Sequence, residues 1–183
     1  MWIVAGLGNP GERYLKTRHN VGFMVVDALN ERVGAKFRHA ANYEAALGTL
    51  GGERLLLMKP LTFMNLSGDA VQSALSYYKI APSSLIVVHD DLDLDTGRLK
   101  IRLGGGSGGH KGIASIIEAI GSEFLRVKIG IGRPAAGSAE GYVLGRFTPD
   151  EESIIGEKVA RGADAVEAIV TLGHVRAMTL FNS

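Results

Sequence analysis

Cysteine is absent from the 183 residues of this chain. Disulfides, thiolate metal sites, iron–sulfur clusters and a cysteine nucleophile are therefore excluded, and a reducing compartment suits the composition. Long hydrophobic runs are absent as well. The apolar stretch Trp2–Ala5 is too short for a membrane span or a secretory leader and has no basic segment before it. The expectation is a cytoplasmic protein that does not enter a membrane. Three catalytic signatures are also missing. The five histidines, His19, His39, His89, His110 and His174, form no H-x-x-x-H or H-E-x-x-H pattern, so spacing offers no zinc site and no metal is expected. No G-x-S-x-G elbow presents a serine nucleophile. No G-K-[ST] completes a nucleotide-binding P-loop.

What is present describes an ordinary soluble chain. Hydrophobic residues make up 46% and charged residues 21%, which places it among globular proteins. Its length sets one domain, residues 1–183, as the expectation, with room for a sizeable core. A net charge of +1 hides an uneven distribution. Between Gly97 and Arg133 lie seven basic residues (Arg98, Lys100, Arg102, Lys111, Arg126, Lys128, Arg133) and two acids (Glu118, Glu123), a local surplus of five. Such a surplus fits a polyanion site. It also fits a guarded sheet edge, because Arg98, Lys100 and Arg102 alternate as on a strand.

Periodicity sets out the elements. Trp2–Ala5 is a buried strand running into a glycine-rich loop. A helix from about His19 to Val33 carries Met24, Val25, Ala28 and Leu29 on one face and ends at Gly34. Tyr43–Leu50 and Arg54–Met58 are strands joined by a Gly51-Gly52 turn. Asn65 or Ser67 is placed to cap a helix bearing Val71, Ala74, Leu75 and Tyr78. Leu85–Val88 is wholly apolar, as a central strand is. Arg98–Leu103 and Val127–Ile131 alternate as strands, with a helix at about Gly112–Ile120 between them. Pro134–Gly141 is small, polar and expected to be a mobile loop that gates a groove. Thr148-Pro149-Asp150-Glu151 carries a capping signature ahead of a long helix striped by Ile155, Val159, Val166, Ile169 and Val170. A short helix near Val175–Phe181 closes the chain. The mixture predicts a single-domain α/β layer sandwich around a mixed, largely parallel twisted sheet flanked by helices.

Two familiar motifs fail in context. Gly6-Leu7-Gly8-Asn9-Pro10-Gly11 satisfies G-x-G-x-x-G after a strand, but Pro10 removes an amide donor and the helix opens about eight residues too late. A dinucleotide cofactor is not expected. Asp91-Leu92-Asp93-Leu94-Asp95 imitates a calcium loop, yet Thr96 stands where glycine is needed and Arg102 where a bidentate glutamate is needed. These aspartates are better explained as turn formers. The stretch Gly104–Gly109 before His110-Lys111 lets backbone amides converge on an anion at a helix start.

The chemistry is concentrated elsewhere. His19 stands at a loop-to-helix junction downstream of Asn9. Asp90 ends the apolar strand, where open α/β sheets carry functional groups. A carboxylate there can hold one ring nitrogen of His19 while the other takes a proton from water. His89 and Asp91 are rivals for these roles on the residues alone.

The motifs that frame these residues are similar to those of a known family. Gly6–Gly11, Tyr14 and Thr17-Arg18-His19-Asn20-Val21-Gly22 resemble the opening signature of bacterial peptidyl-tRNA hydrolases. Lys59–Gly68, His89–Leu94, Gly104–Gly112, Ile129–Pro134 and Val143–Phe147 resemble their later signatures, in the same order. The resemblance implies hydrolysis of the ester between a peptide and tRNA, with no cofactor, by a monomer that meets the acceptor stem and 3′ end. It implies His19 as general base and Asp90 as its support. Asn9 would contact the peptide side and help reject free aminoacyl-tRNA, and Asn65 would bind and orient the substrate. Tyr14 and Phe63 would meet the tRNA end, and Lys100, Arg102, Lys111 and Arg133 its phosphates. A non-catalytic RNA-binding protein on the same fold, like the plant organelle splicing factors related to this family, is the alternative. One position departs: Lys111 stands where the family usually has asparagine. An ammonium only donates, so the resemblance does not carry a water-positioning role there.

Overall fold

Among the described residues, seven strands make one sheet, ordered from edge to edge as Arg38–His39, Tyr43–Leu50, Glu53–Pro60, Trp2–Gly6, Leu85–Asp91, Leu125–Gly130 and Leu99–Leu103. The computed structural model describes residues 1–182. In chain order the strands are β1 (Trp2–Gly6), β2 (Arg38–His39), β3 (Tyr43–Leu50), β4 (Glu53–Pro60), β5 (Leu85–Asp91), β6 (Leu99–Leu103) and β7 (Leu125–Gly130). The helices are α1 (Val21–Val33), α2 (Ser67–Tyr78), α3 (Lys111–Ile120), α4 (Ala139–Val143), α5 (Pro149–Leu172) and α6 (His174–Phe181). The four central strands β4, β1, β5 and β7 run parallel, and the antiparallel pairings lie at the margins. This is the single-domain mixed α/β sandwich that the pattern predicts.

The runs Ile3–Ala5, Leu55–Met58 and Leu85–Val88 are apolar without a break because both faces are covered, and successive residues serve opposite layers, whereas β7 carries Arg126 and Lys128. Val4, Leu55, Leu57, Ile86 and Val88 point into one core with Val25 and Leu29 of α1 and Val166 and Ile169 of α5. Ile3, Leu56, Met58, Leu85 and Val87 point into the other, with Val71 of α2 and Ile113 and Ile116 of α3. The C-terminal ends of the parallel strands, with the loops that follow them, are left to build a site. Among the described residues, no helix is long and apolar enough to cross a membrane.

Several boundaries depart from the expectation, each for a local reason. The segment at His19 is a 3-10 turn, Arg18–Asn20, and α1 begins at Val21. Neither Asn65 nor Ser67 caps α2. A 3-10 turn at Met64–Leu66 feeds directly into the helix, and the Ser67 hydroxyl donates to the Met64 carbonyl at 2.8 Å. Pro134–Gly141 is not loop throughout. The Ser138 hydroxyl accepts from the Gly141 N–H at 3.1 Å and starts α4. The capping box of α5 forms as predicted, with Thr148 and Glu151 exchanging hydrogen bonds. Asp91 is a turn former as expected, its carboxylate accepting the Asp93 N–H at 2.8 Å.

Candidate active site

Close backbone contact brings His19 to the end of β5. A Cβ on Gly22 would come within 2.3 Å of the Val88 carbonyl, and one on Gly6 within 2.2 Å of the Gly22 carbonyl. Only glycine allows the start of α1 to press against β1 and β5 in this way. The first glycine of the G-x-G-x-x-G run is thereby accounted for by helix–strand packing. Arg18 then locks the turn. Its guanidinium stacks 3.9 Å from the Tyr142 ring centre, donates to the Tyr142 carbonyl at 3.1 Å and pairs with Glu151 at 2.7 Å.

His19 Nδ1 lies 2.8 Å from Asp90 Oδ2. The carboxylate accepts, so the hydrogen is on Nδ1 and Nε2 is the basic nitrogen left for other work. The other Asp90 oxygen, Oδ1, is 2.8 Å from His110 Nε2. His110 in turn caps α3, with Nδ1 accepting the N–H groups of Gly112 and Ile113 at 3.1 and 3.2 Å. Two donors on Nδ1 require the hydrogen to be on Nε2. Asp90 therefore receives one hydrogen bond on each oxygen while almost fully buried. Burial pushes its carboxyl up, but the facing His110 and His19 rings and their hydrogen bonds outweigh this and hold it well below the usual carboxylate range.

His89, a rival on the residues alone, is buried and engaged otherwise. Its Nδ1 donates to the Asp90 carbonyl at 2.7 Å and its Nε2 accepts from Arg126 Nε at 3.2 Å. Burial, followed by the neighbouring His110 and Arg126, holds this ring well below the ordinary histidine value, so it is neutral. Asp91 is spent on Lys128, at 3.2 Å.

Asn9 is clamped by Asn20. The Asn9 N–H donates to Asn20 Oδ1 at 2.8 Å and Asn20 Nδ2 donates back to the Asn9 carbonyl at 2.9 Å. Asn9 Oδ1 accepts the Met64 N–H at 2.9 Å, which fixes the amide and leaves Nδ2 as its donor. All of this borders one cavity of about 1030 Å³. Nine of the ten residues expected at the site line it: Asn9, Tyr14, His19, Phe63, Asn65, Asp90, Lys100, Arg102 and Lys111. Arg133 does not. It is exposed and paired with Asp93, Nε to Oδ1 at 3.0 Å. Lys111 reaches Glu140 of α4, Nζ to Oε1 at 3.6 Å, with both side chains exposed.

Three residues of the site, Asn20, His110 and Arg126, were given no role there by sequence reasoning, and His89 was weighed only as a rival of the His19–Asp90 pair. His110 offered one signal, a histidine at a loop-to-helix junction like that of His19, but its partnership with Asp90 is tertiary. His19, Asp90 and His110 also bring ligand-capable atoms within 4.8 Å of one another, a donor set that a divalent cation can use. The three come from separate segments, so spacing patterns do not reveal the set. Lys100 and Arg102 lie on β6, the edge strand, directly across from Lys128 and Arg126 of β7. The polyanion and edge-strand explanations of the basic surplus thus describe the same residues.

A histidine ring nitrogen oriented by a buried carboxylate, at a cavity lined by asparagine amides and by cations such as Lys100 and Arg102, can support water-dependent cleavage of an anionic substrate. Comparison with known proteins agrees with that class. The family model for peptidyl-tRNA hydrolase matches residues 3–183. The peptidyl-tRNA hydrolase of Chloroflexus aurantiacus is 50% identical over 186 residues, covering 100% of this chain and 99% of that protein. The peptidyl-tRNA hydrolase of Caldanaerobacter subterraneus subsp. tengcongensis is 49% identical and covers 100% of both chains. The crystal structure of peptidyl-tRNA hydrolase from Acinetobacter baumannii superposes with a TM-score of 0.94 at 34% identity, covering 100% of this chain and 95% of that one. The chain belongs to the peptidyl-tRNA hydrolase family.

Proposed function

We propose that this chain hydrolyses the ester joining a peptide, or an N-acylated amino acid, to the ribose of tRNA, releasing tRNA for reuse. The observation that carries the proposal is the bonded His19–Asp90–His110 set at the wall of a cavity that Lys100 and Arg102 also line. His19 Nε2 takes a proton from water as the water oxygen attacks the ester carbonyl carbon. Asp90 steadies the imidazolium so formed. Collapse of the tetrahedral oxyanion breaks the bond to the ribose oxygen, which takes the proton back from His19. The products are a free ribose hydroxyl and a peptide carboxylic acid, which releases its remaining proton to solvent and leaves as the carboxylate. An ester has a good leaving group, so a histidine base and amide donors suffice; the base contributes about 10²–10⁴-fold.

Asn9 Nδ2 is the donor offered to the peptide side, and Asn65, which lines the same cavity, binds and orients the substrate. Tyr14 and Phe63, the latter exposed, offer aromatic faces to the unpaired bases of the tRNA 3′ end. Lys100, Arg102 and Lys111 meet acceptor-stem phosphates; Arg133 lies outside the cavity and shares its charge with Asp93. Every residue in this account comes from one chain, so a monomer suffices, and the substrate places the work in the cytoplasm. A role limited to RNA binding has no support, because it leaves the oriented histidine base without a purpose. The test is a time course on N-acetylated aminoacyl-tRNA and on free aminoacyl-tRNA, with chelator present. Rapid cleavage of the first and slow cleavage of the second is expected. RNA binding without cleavage overturns the proposal.

A further inference from the structure

We infer that Arg126 is a positioning residue for the hydrolytic centre, a buried strut that sets where His110 meets Asp90. The inference rests on the hydrolase reading above and adds a part that family membership does not assign. Arg126 is among the largest fully buried side chains, yet among the described residues no carboxylate pairs with it. A buried guanidinium with no carboxylate bonded to it, attracted by Asp91 only at longer range and repelled by Arg102, is costly, so its hydrogen bonds need a purpose.

Those bonds close a ring. Arg126 Nε donates to His89 Nε2 at 3.2 Å, and His89 Nδ1 donates to the Asp90 carbonyl at 2.7 Å. The Asp90 carboxylate takes the His110 Nε2 hydrogen at 2.8 Å. The His110 N–H donates to the Ser107 carbonyl at 3.0 Å. One residue earlier, the Gly106 carbonyl accepts from Arg126 Nη1 at 2.7 Å, and Gly104 accepts from the same nitrogen at 3.4 Å. The path from Arg126 thus reaches Asp90 from both sides, once through β5 and once through the glycine loop.

The loop needs such a strut. Gly104, Gly105, Gly108 and Gly109 all have positive φ, so this segment has little conformational preference of its own. His110 sits at its end and its reach to Asp90 depends on where the loop lies. The fork of Arg126 holds the loop carbonyls on one side and His89 on the other. A lysine provides the charge without the fork. The ring also requires opposite tautomers, with hydrogen on Nδ1 of neutral His89 and on Nε2 of His110.

The test separates positioning from charge. Arg126→Gln and Arg126→Lys are assayed on an N-acetylated aminoacyl ester of adenosine, which carries no phosphate, and on N-acetylated aminoacyl-tRNA. Arg32→Gln, which breaks a surface ion pair between α1 and α5, serves as the folded control at unchanged rate. Both Arg126 variants are expected to lose kcat by about 100-fold on both substrates, the scale of a misplacement near 1 Å, with KM little changed on the adenosine ester. The downfield His110 Nε2–H resonance is expected to shift or vanish in both. Wild-type kcat in Arg126→Lys overturns the inference, as does a pure KM defect on tRNA with the His110 resonance intact. Should either variant fail to fold, nitrogen-15 spectra of the wild-type histidines decide, since the opposite tautomer at His89 or His110 also overturns it. Absence of cleavage by the wild type would instead count against the hydrolase reading, and the spectra would still test the strut.

Discussion

Asp90 is the residue on which the site turns, because its two oxygens hold two histidines with different duties. His19 keeps Nε2 free, whereas His110 has both nitrogens engaged. Asp90→Asn replaces one acceptor oxygen by a donor and favours the wrong His19 tautomer. Turnover is expected to fall by about 10²–10⁴-fold with the fold retained, as steady-state kinetics and circular dichroism would show. His89 makes a second prediction. Its folded value is held well below the ordinary one, so below about pH 6.5 the unfolded chain binds a proton that the folded chain refuses. Stability therefore falls as pH drops through that point, at up to about 1.4 kcal/mol per pH unit. Asp90 has the other window: its folded carboxyl is depressed, so its contribution is full above about pH 3.9 and is lost as pH falls from there. Urea denaturation of His89→Gln between pH 6.5 and 5 should show a flatter slope than the wild type; an equal slope would exclude His89 as its source. At this scale a loop-to-helix junction and a strand end made His19 and Asp90 candidates, but His89 and Asp91 remained rivals on the residues alone, and the family resemblance chose the pair. His110 and Arg126 were given no role because no spacing in the sequence points to their tertiary partners, Asp90 and His89.

Among the elements, the strongly signed ones were the most legible. The α5 start followed from Thr148-Pro149-Asp150-Glu151, and β1 and β5 followed from apolar runs that two covered faces demand. Thr148→Ala is expected to cost about 1 kcal/mol, the usual worth of such a cap, measurable as a shift in the denaturation midpoint. A loss near zero would mean that Pro149 and the Arg18–Glu151 pair hold the helix start without it. The five-residue α4, Ala-Glu-Gly-Tyr-Val, was illegible, since a single turn with a central glycine and a β-branched end carries little helix propensity of its own. What fixes it is tertiary: the Arg18 guanidinium on Tyr142, and the Tyr142 hydroxyl donating to the Ile131 carbonyl at 2.5 Å. Because Arg18 adjoins His19, α4 and the proposed base share one anchor. The α2 start was misjudged for a related reason, as a 3-10 turn supplied what a capping side chain would have given.

Over the whole molecule, the mixed α/β class and the clustering of nine expected residues around one cavity were legible, and the reach of the basic segment was only partly so. Lys100 faces Lys128 and Arg102 faces Arg126 across β6 and β7, and like charges directly opposite one another weaken a sheet. Arg133 looked equivalent by charge but does not line the cavity; it is exposed and paired with Asp93, which does, and only the fold reveals this. Lys100→Ala should leave stability unchanged or raised while weakening tRNA binding, and should reduce the slope of log affinity against log salt by about one. An unchanged slope would remove Lys100 from the tRNA interface. The central claim, that His19 is the base of an ester hydrolase, is tested most directly by His19→Ala in a single-turnover assay on N-acetylated aminoacyl-tRNA with binding measured in parallel. Retained tRNA binding with turnover abolished is the predicted result, and near-normal turnover would contradict the account.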